Sequence, residues 1–226
     1  MSGRLEGKRV VITQATAFMG PAITEVFSEE GADVVADDRD LTQPAAAQQL
    51  VDEAGKIDVL IANLAGVNPK TAVTDTTDED WSEMFDVMVH PLHRLIRAVM
   101  PQMIERRQGK IIVMGSVSAL RGMPNWSAYS AARGAQLAYV QAVGVEAAAN
   151  NVQVNALAQG FVENPSYFPP EYVETPELQE RMKSVPAGRL ATAREDALFV
   201  LFLAGDESDF FVGQVFPFAG GWTVKN

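Results

Sequence analysis

The stretch from Arg9 to Glu30 reads RVVITQATAFMGPAITEVFSEE and decides the fold prediction. It begins with the β-branched run RVVIT, which favours a strand, and from Met19 onward its apolar residues recur at helical spacing until Gly31. Strand, turn and helix in this order form the first βα unit of a parallel sheet. The turn, TQATAFMG at 13–20, is where such folds place a glycine-rich phosphate-binding loop, but here it contains only Gly20.

The same alternation continues along the chain. Further strands are predicted at Asp33–Ala36, Ile57–Ala62, Lys110–Met114, Val152–Leu157 and Gln214–Phe218. Helices are predicted at Met19–Glu30, at Pro44–Glu53, from Thr77 to about His90, at Pro91–Arg107, from Trp126 to about Asn150, at Pro176–Ser184 and at Ala193–Leu203. Continuously apolar strands between helices predict an α/β fold, a doubly wound parallel sheet with helices on both faces. No repeat or linker is visible, so residues 1–226 are expected to form a single Rossmann-like domain.

The amino-acid composition limits the classes of binding partner that we expect. The 226 residues carry 18 Lys+Arg and 29 Asp+Glu, a net charge of -11, which opposes binding to nucleic acid or to an anionic membrane. The absence of cysteine excludes disulfides and thiolate chemistry, and His90 and His93 have no convergent acid, so we expect no metal site. The N-terminus lacks an apolar signal core and no apolar run reaches the ~18 residues of a membrane span, so we expect a cytoplasmic protein.

Three residues in the segment GSVSALRGMPNWSAYSAAR at 115–133 are candidates for catalysis. Tyr129 and Arg133 are four residues apart on a predicted helix, so their side chains share a face and a cation lies near a phenol. Ser116 follows a predicted strand, at the carboxyl edge of the sheet where ligands of open α/β folds bind. A guanidinium beside a phenol stabilises the phenolate, and arginine does so at every relevant pH.

The chain as a whole resembles the short-chain dehydrogenase/reductase superfamily, whose first turn reads Thr-Gly-x3-Gly-x-Gly. Gln14 and Phe18 replace two of these glycines, so an aromatic ring enters the cofactor space. About twenty residues separate the second and third predicted strands, which leaves room for one helix where the superfamily has a helix, a strand and a helix. We therefore expect the dinucleotide site to be dismantled and no cofactor to bind. Asp37 stands where an acid binds a ribose hydroxyl, but beside two further aspartates we interpret it as part of a solvated charge run.

Arg133 replaces the lysine of the superfamily's Ser-Tyr-Lys arrangement. Together with the altered turn, this resembles the halohydrin dehalogenase family over essentially the whole chain. The resemblance implies a cofactor-free enzyme that converts vicinal haloalcohols into epoxides and halide, and that reopens epoxides with halide, azide, cyanide or nitrite. It implies that Ser116 holds the substrate hydroxyl, that Tyr129 takes its proton and that Arg133 stabilises the phenolate. It also implies a homotetramer.

The resemblance further assigns the halide site to Phe18 and to the segment after the predicted strand VQVNAL, namely Gln159, Gly160, Phe161 and Val162. Gln159 departs from the proline that is often found there. For the substrate pocket we predict the loop at 63–69, with Asn63 and Leu64, and also Tyr167 and Phe168 from the irregular stretch at 158–175.

Two other functions stay open at this point. One is an NAD(P)-dependent dehydrogenase that binds its cofactor through an altered turn. The other is a catalytically silent, oligomeric or ligand-binding scaffold.

Overall fold

A computed structural model describes residues 3–67 and 70–224 of the chain. Its strands form one six-stranded sheet in the order β2-β1-β3-β4-β5-β6, and every neighbouring pair is parallel. The strands are β1 (Arg9–Thr13), β2 (Asp33–Asp37), β3 (Val59–Ala62), β4 (Gly109–Ser116), β5 (Val152–Gln159) and β6 (Val215–Phe218). The predicted parallel α/β sheet is therefore confirmed.

Helices cover both faces of this sheet. They are α1 (Gly20–Glu29), α2 (Ala46–Ala54), α3 (Asp78–Arg106), α4 (Ser127–Ala148), α5 (Pro170–Val173), α6 (Pro176–Met182) and α7 (Ala193–Ala204). Helices α2, α3 and α4 pack with strand residues such as Val11 and Val113 into one buried cluster. Helices α1 and α7 pack with the alternate residues, such as Val10 and Ile112, into another. The side-chain alternation of each strand thus divides the core into two layers.

The prediction of separate helices before and after Pro91 is wrong, because α3 runs through both Pro91 and Pro101. A proline inside a helix removes a backbone hydrogen bond. Near this proline, the side-chain amide of Gln136 donates a hydrogen bond to the backbone carbonyl of Met88 over 2.8 Å. Buried residues on both sides of Pro91 hold the helix against the core, so tertiary packing overrides the break. The predicted cap at Thr77 is confirmed as a capping box with Asp80.

The connection from β2 to β3 contains only α2, as predicted from its length. As a consequence β2 is an edge strand that pairs with β1 alone. Asn68 and Pro69, which belong to the predicted pocket loop, lie outside the described residues. None of the helices in the described ranges combines the length and apolar character needed to cross a membrane.

Candidate active site

A cavity of about 240 Å³ lies beyond the carboxyl ends of the strands, where open parallel sheets bind ligands. The predicted residues that line it are Phe18, Asn63, Ser116, Tyr129, Arg133, Gln159, Gly160, Phe161, Val162, Tyr167 and Phe168. Leu64 does not line it, so that prediction is wrong. The Leu64 side chain is fully buried in the core, and its backbone carbonyl accepts a hydrogen bond from Arg133.

Two phenols meet in this cavity. Tyr129 lies in the first turn of α4 and is 3% exposed, and its hydroxyl is 3.3 Å from that of Tyr167. The Tyr167 hydroxyl donates to the carbonyl of Gly66 over 3.0 Å, and burial raises the pKa of Tyr167. Ser116 is the last residue of β4, and its Oγ accepts the backbone N–H of Ser118 over 3.2 Å. That acceptor leaves the Ser116 hydroxyl proton free to donate into the cavity.

Arg133 is a buried cation with no carboxylate beside it. Its Nη1 donates to the carbonyls of Leu64 and Met114 and to Oε1 of Gln136, at 2.8–3.0 Å. Its Cζ lies 5.1 Å from the ring centroid of Tyr129. Among the described residues it has no ion pair, and its Nε is buried without an acceptor. Burial lowers the pKa of Arg133, but Tyr129 and Tyr167 more than offset this, so the pKa lies above its usual value.

The segment after β5 presents backbone donors to the cavity. Phe161 has a φ of 60°, in the left-handed region, and this conformation reverses the direction of the chain. Neighbouring backbone groups are hydrogen-bonded: the N–H of Gly160 donates to the carbonyl of Phe218, and the N–H of Ala191 donates to the carbonyl of Phe161. The N–H groups of Phe161 and Val162 have no acceptor within the described ranges, although both residues are buried. Successive unpaired N–H groups at a left-handed residue form a concavity that binds anions.

Gly160 is required here for packing. A Cβ at this position would lie 2.4 Å from Cγ2 of Val117 and 3.3 Å from Cβ of Ala219. Phe161 then packs edge-on against Trp222, with ring centroids 5.5 Å apart, and lies 6.5 Å from Phe168. The cavity lining around Phe161 and Val162 is therefore largely aromatic.

The first turn keeps the backbone of a glycine loop, although Gln14 and Phe18 replace two of its three glycines. Gln14 and Phe18 have φ values of 44° and 51°, conformations that cost a residue with a Cβ of order 1 kcal/mol. The Gln14 side chain compensates by pairing with both the N–H and the carbonyl of Ala65, at 2.9 and 3.1 Å. The Phe18 ring lies 5.3 Å from that of Tyr167. Both side chains thus fill the space above the turn.

The residues around this turn do not fit a dinucleotide. Asp38 already accepts the N–H of Thr16 over 3.0 Å, which places a carboxylate where a pyrophosphate needs a donor. The amide of Asn63 donates to the carbonyls of Gln14 and Ala17, both at 3.0 Å, and is occupied by the turn itself. A carboxylate at this turn repels a phosphate, and the ring of Phe18 lies in the cavity lining against the ring of Tyr167.

Asp37 corrects another prediction, because it is not part of a solvated run. It is 7% exposed and binds Nε of Arg39 at 2.6 Å, while Arg39 also binds Glu53. Arg39 lies two residues after the end of β2, and Glu53 in the last turn of α2 supplies the second carboxylate. Arg39 engages Oδ1 of Asp37, whereas Oδ2 is buried and has no hydrogen-bond partner among the described residues.

Asp196 is a buried acid that the sequence did not reveal. It lies in the first turn of α7 and is fully buried, and both of its carboxylate oxygens lack a direct hydrogen bond among the described residues. Burial raises the pKa of Asp196 to about 7, and the side-chain amide of Gln159 acts in the opposite direction. Only the fold brings these two residues together, so no local sequence signal marks the pair.

Metal ligands do not cluster in this part of the molecule. Among the residues described, no group of three or more His, Cys, Asp or Glu side chains is arranged to hold a metal ion. His93 instead pairs with the hydroxyl of Tyr139 over 3.0 Å, and His90 lies near Asp86 on α3.

Known proteins resemble the chain over nearly its whole length. Residues 4–223 match the family model described as enoyl-(acyl carrier protein) reductase. The chain is 30% identical to the 3-oxoacyl-(acyl-carrier-protein) reductase of Thermotoga maritima, across 98% of this chain and 100% of that protein. It is also 30% identical to dehydrogenase/reductase SDR family member 6 of Rattus norvegicus, with the same shares covered.

Two solved structures show the same architecture. One is described as "Dehalogenation enzyme"; it has a TM-score of 0.87 and 30% identity, and the match covers 96% of this chain and 98% of that one. The other is a gluconate 5-dehydrogenase from Burkholderia cenocepacia J2315 in complex with NADP and tartrate, with a TM-score of 0.91 and 27% identity across 99% and 98% of the chains. These matches, together with the six-stranded parallel sheet, show that the chain belongs to the short-chain dehydrogenase/reductase superfamily.

Proposed function

We propose that this protein is a cofactor-independent dehalogenase that converts vicinal haloalcohols into epoxides and halide. One observation carries the proposal: a buried guanidinium with no carboxylate partner faces the ring of Tyr129, in the same cavity as the two unpaired N–H groups of Phe161 and Val162. A buried cation without a counter-charge is costly. A phenolate at Tyr129 supplies the missing negative charge, and during the reaction this charge passes from the phenolate through the alkoxide to the departing halide.

In the proposed mechanism, Ser116 donates a hydrogen bond to the substrate oxygen and Tyr129 takes the hydroxyl proton. The resulting alkoxide attacks the neighbouring carbon from the side opposite the halogen, so a C–O bond forms as the carbon–halogen bond breaks. The electron pair of the broken bond leaves with the halide. Arg133 stabilises the phenolate, because a unit charge ~6 Å away at an effective dielectric of ~20 contributes about 3 kcal/mol.

The leaving halide would bind the N–H groups of Phe161 and Val162, with the rings of Phe18 and Phe161 excluding water. Donors that point at developing negative charge in a dry site are the larger part of many enzymes' rate acceleration. Gln159 and Gly160 would set the position of this segment. Azide, cyanide or nitrite would use the same donors when they reopen the epoxide. In this proposal residues 1–226 are a single domain without a working dinucleotide site.

A second candidate is an NAD(P)-dependent oxidoreductase. The observation in its favour is the sequence comparison, since the curated relatives with full-length matches are named as reductases and dehydrogenases. Against it stand the Asp38 carboxylate on the turn and the ring of Phe18. We therefore rank it below dehalogenation.

One assay decides between these functions. The purified protein is incubated with 1,3-dichloro-2-propanol without nucleotide, and released chloride is measured. We expect release by the wild type, loss of at least a hundredfold in Tyr129→Phe, and wild-type rates in Tyr139→Phe, which lacks a phenol outside the cavity. No release across several haloalcohols would contradict the proposal, and a saturable NADH or NADPH fluorescence change would favour the second candidate. If neither chloride release nor a nucleotide signal is detected, the remaining function is a catalytically silent binding protein.

A further inference from the structure

The cavity is locally cationic in an acidic protein. Its described lining includes three basic side chains, Lys70, Arg133 and Arg181, and no aspartate or glutamate. The whole chain has 29 acidic against 18 basic residues. Arg133 is buried at the reaction centre and Lys70 is exposed, so Arg181 is the basic group at an intermediate depth. The mechanism proposed above does not use it.

Within residues 3–67 and 70–224, Arg181 has no partner of opposite charge. In the described ranges it forms no ion pair, and no hydrogen bond from its guanidinium is present. The two acids of the same helix are engaged elsewhere, because Glu177 accepts the hydroxyl of Tyr172 and Glu180 pairs with Lys183. The Arg181 guanidinium instead lies over the ring of Phe161, with Cζ 5.2 Å from the centroid.

This contact fixes the guanidinium without using its donors. A cation over an aromatic face is held in place and partly shielded from water, while its N–H groups remain available. The same Phe161 provides a backbone N–H to the proposed halide site. The Arg181 guanidinium and this N–H are therefore separated by the Phe161 side chain. A planar guanidinium binds a carboxylate through two parallel hydrogen bonds, which a halide cannot form.

We propose that Arg181 binds a carboxylate carried by the substrate, so that the preferred substrates are haloalcohols and epoxides with an acidic substituent. The inference rests on the dehalogenase function proposed above. A suitable substrate is 4-chloro-3-hydroxybutanoate, in which three carbons separate chlorine from the carboxylate. Its hydroxyl proton passes to Tyr129, the C–O bond forms as the C–Cl bond breaks, and the products are 3,4-epoxybutanoate and chloride.

The test compares this acid with its neutral counterpart, 4-chloro-3-hydroxybutanamide. We expect wild-type kcat/KM to favour the carboxylate by roughly tenfold or more, the effect of a hydrogen-bonded charged group. In Arg181→Gln that ratio falls to near one, and Arg181→Lys restores part of it. Arg97→Gln is the matched control, because Arg97 also lacks an ion pair among the described residues but is exposed on α3. An unchanged ratio in Arg181→Gln overturns the inference.

Two further measurements separate the possible failures. Binding of the unreactive 3-hydroxybutanoate and 3-hydroxybutanamide is measured by calorimetry in both proteins. If neither chlorinated compound releases chloride but carboxylate binding still depends on Arg181, the subsite stands and the dehalogenase function fails. Azide opening of a neutral epoxide is the second measurement. If Arg181→Gln lowers that rate as much as it lowers carboxylate turnover, Arg181 attracts small anions in general and the substrate assignment is wrong.

Discussion

Tyr167 places a second hydroxyl next to the proposed base. Its hydroxyl is 3.3 Å from that of Tyr129 and 3.0 Å from the carbonyl of Gly66. When Tyr129 becomes a phenolate, the proton of Tyr167 can move from the Gly66 carbonyl to the new charge. In the proposed mechanism, Tyr167 is therefore a positioning residue that stabilises the charged form of Tyr129.

We expect Tyr167→Phe to lower kcat for halide release about tenfold or more, because a hydrogen bond to a charged group contributes ~1.5–3 kcal/mol. The phenyl ring keeps its contact with Phe18, so KM should change little. Steady-state kinetics with a neutral haloalcohol measures both constants. A variant with wild-type kcat would show that the hydroxyl only closes the cavity, and Tyr139→Phe controls for loss of a phenol elsewhere.

Asp196 makes stability depend on pH. Burial raises its pKa to about 7, whereas an unfolded aspartate titrates near ~3.9. Between these values the native state holds a proton that the unfolded state has lost, so the contribution of Asp196 to the free energy of unfolding falls as pH rises from about 4 to 7. The change is roughly 2–4 kcal/mol.

We expect Asp196→Asn to remove much of this dependence, because the amide stays neutral at every pH and keeps the shape of the carboxylic acid. Urea denaturation at pH 5 and pH 8 measures the difference in the free energy of unfolding. Asp75→Asn, at an exposed position, should behave as the wild type does. An equal fall in stability for wild type and Asp196→Asn would mean that Asp196 is already ionised at pH 5.

At the scale of elements, α4 carries two of the three proposed catalytic residues, Tyr129 and Arg133, and a glycine allows it to pack close to the neighbouring backbone. A Cβ at Gly144 would lie 2.5 Å from Cα of Gly213 and 2.6 Å from its nitrogen, and neither is a group that can move aside easily. Gly134 lies in the same helix with nothing within 4 Å of such a Cβ. Substitution of Gly134 therefore tests helix propensity alone, whereas substitution of Gly144 also tests close packing.

We expect Gly144→Ala to lower the free energy of unfolding by about 1–3 kcal/mol, since overpacking against backbone outweighs the propensity of alanine. Gly134→Ala should raise it by roughly 0.5–1 kcal/mol, the usual gain of alanine over glycine in a helix. Chemical denaturation of both variants measures the two effects. Equal stability of the two would show that α4 has room to shift away from Gly213.

The continuity of α3 through Pro91 depends on the helices packed against it. The local signal of Pro91 is a helix break, and the side chain of Gln136 on α4 supplies a hydrogen bond to the neighbouring carbonyl of Met88. The same Gln136 accepts from Arg133. One residue therefore links the unbroken helix to the buried guanidinium.

At the scale of the whole molecule, large apolar side chains remain on the surface of the described chain. Val145 on α4 is 72% exposed, Leu198 on α7 is 42% exposed and Phe210 is 99% exposed. Closed symmetric oligomers form through self-complementary surfaces, and α4 and α7 pack on opposite faces of the sheet. We propose that two such surfaces build the homotetramer.

We expect light scattering to give the mass of four chains for the wild type. Val145→Glu should give a smaller assembly, because a charge on an apolar interface is costly to bury. Val73→Glu is the control, since Val73 is 77% exposed but lies outside any helix. A wild-type monomer, or an unchanged mass in Val145→Glu, would contradict this arrangement.

The fold was accessible from the sequence because its signals are local. Apolar strands, helical spacing and the cap at Thr77 depend on neighbours a few residues away, and the short β2 to β3 connection follows from counting residues. The candidate trio was also accessible, because the spacing of Tyr129 and Arg133 places them on one helical face and Ser116 follows a strand. Boundaries shifted by one or two residues where pairing with neighbouring strands extends a strand, as at Gln159, which pairs with Ser116 of β4 and Phe218 of β6.

By itself, then, the sequence determined the parallel α/β architecture, the altered first turn and the identity of the residues with reactive groups. Only the tertiary structure decided that Leu64 faces the core, that Asp37 is paired with Arg39, that Asp196 lies buried beside Gln159 and that Arg181 stands over Phe161 without a counter-ion. The physical reason is that burial and ion pairing depend on segments far apart in the chain. Periodicity reports which face of an element is apolar, whereas the partner of a charge is set by how the elements pack.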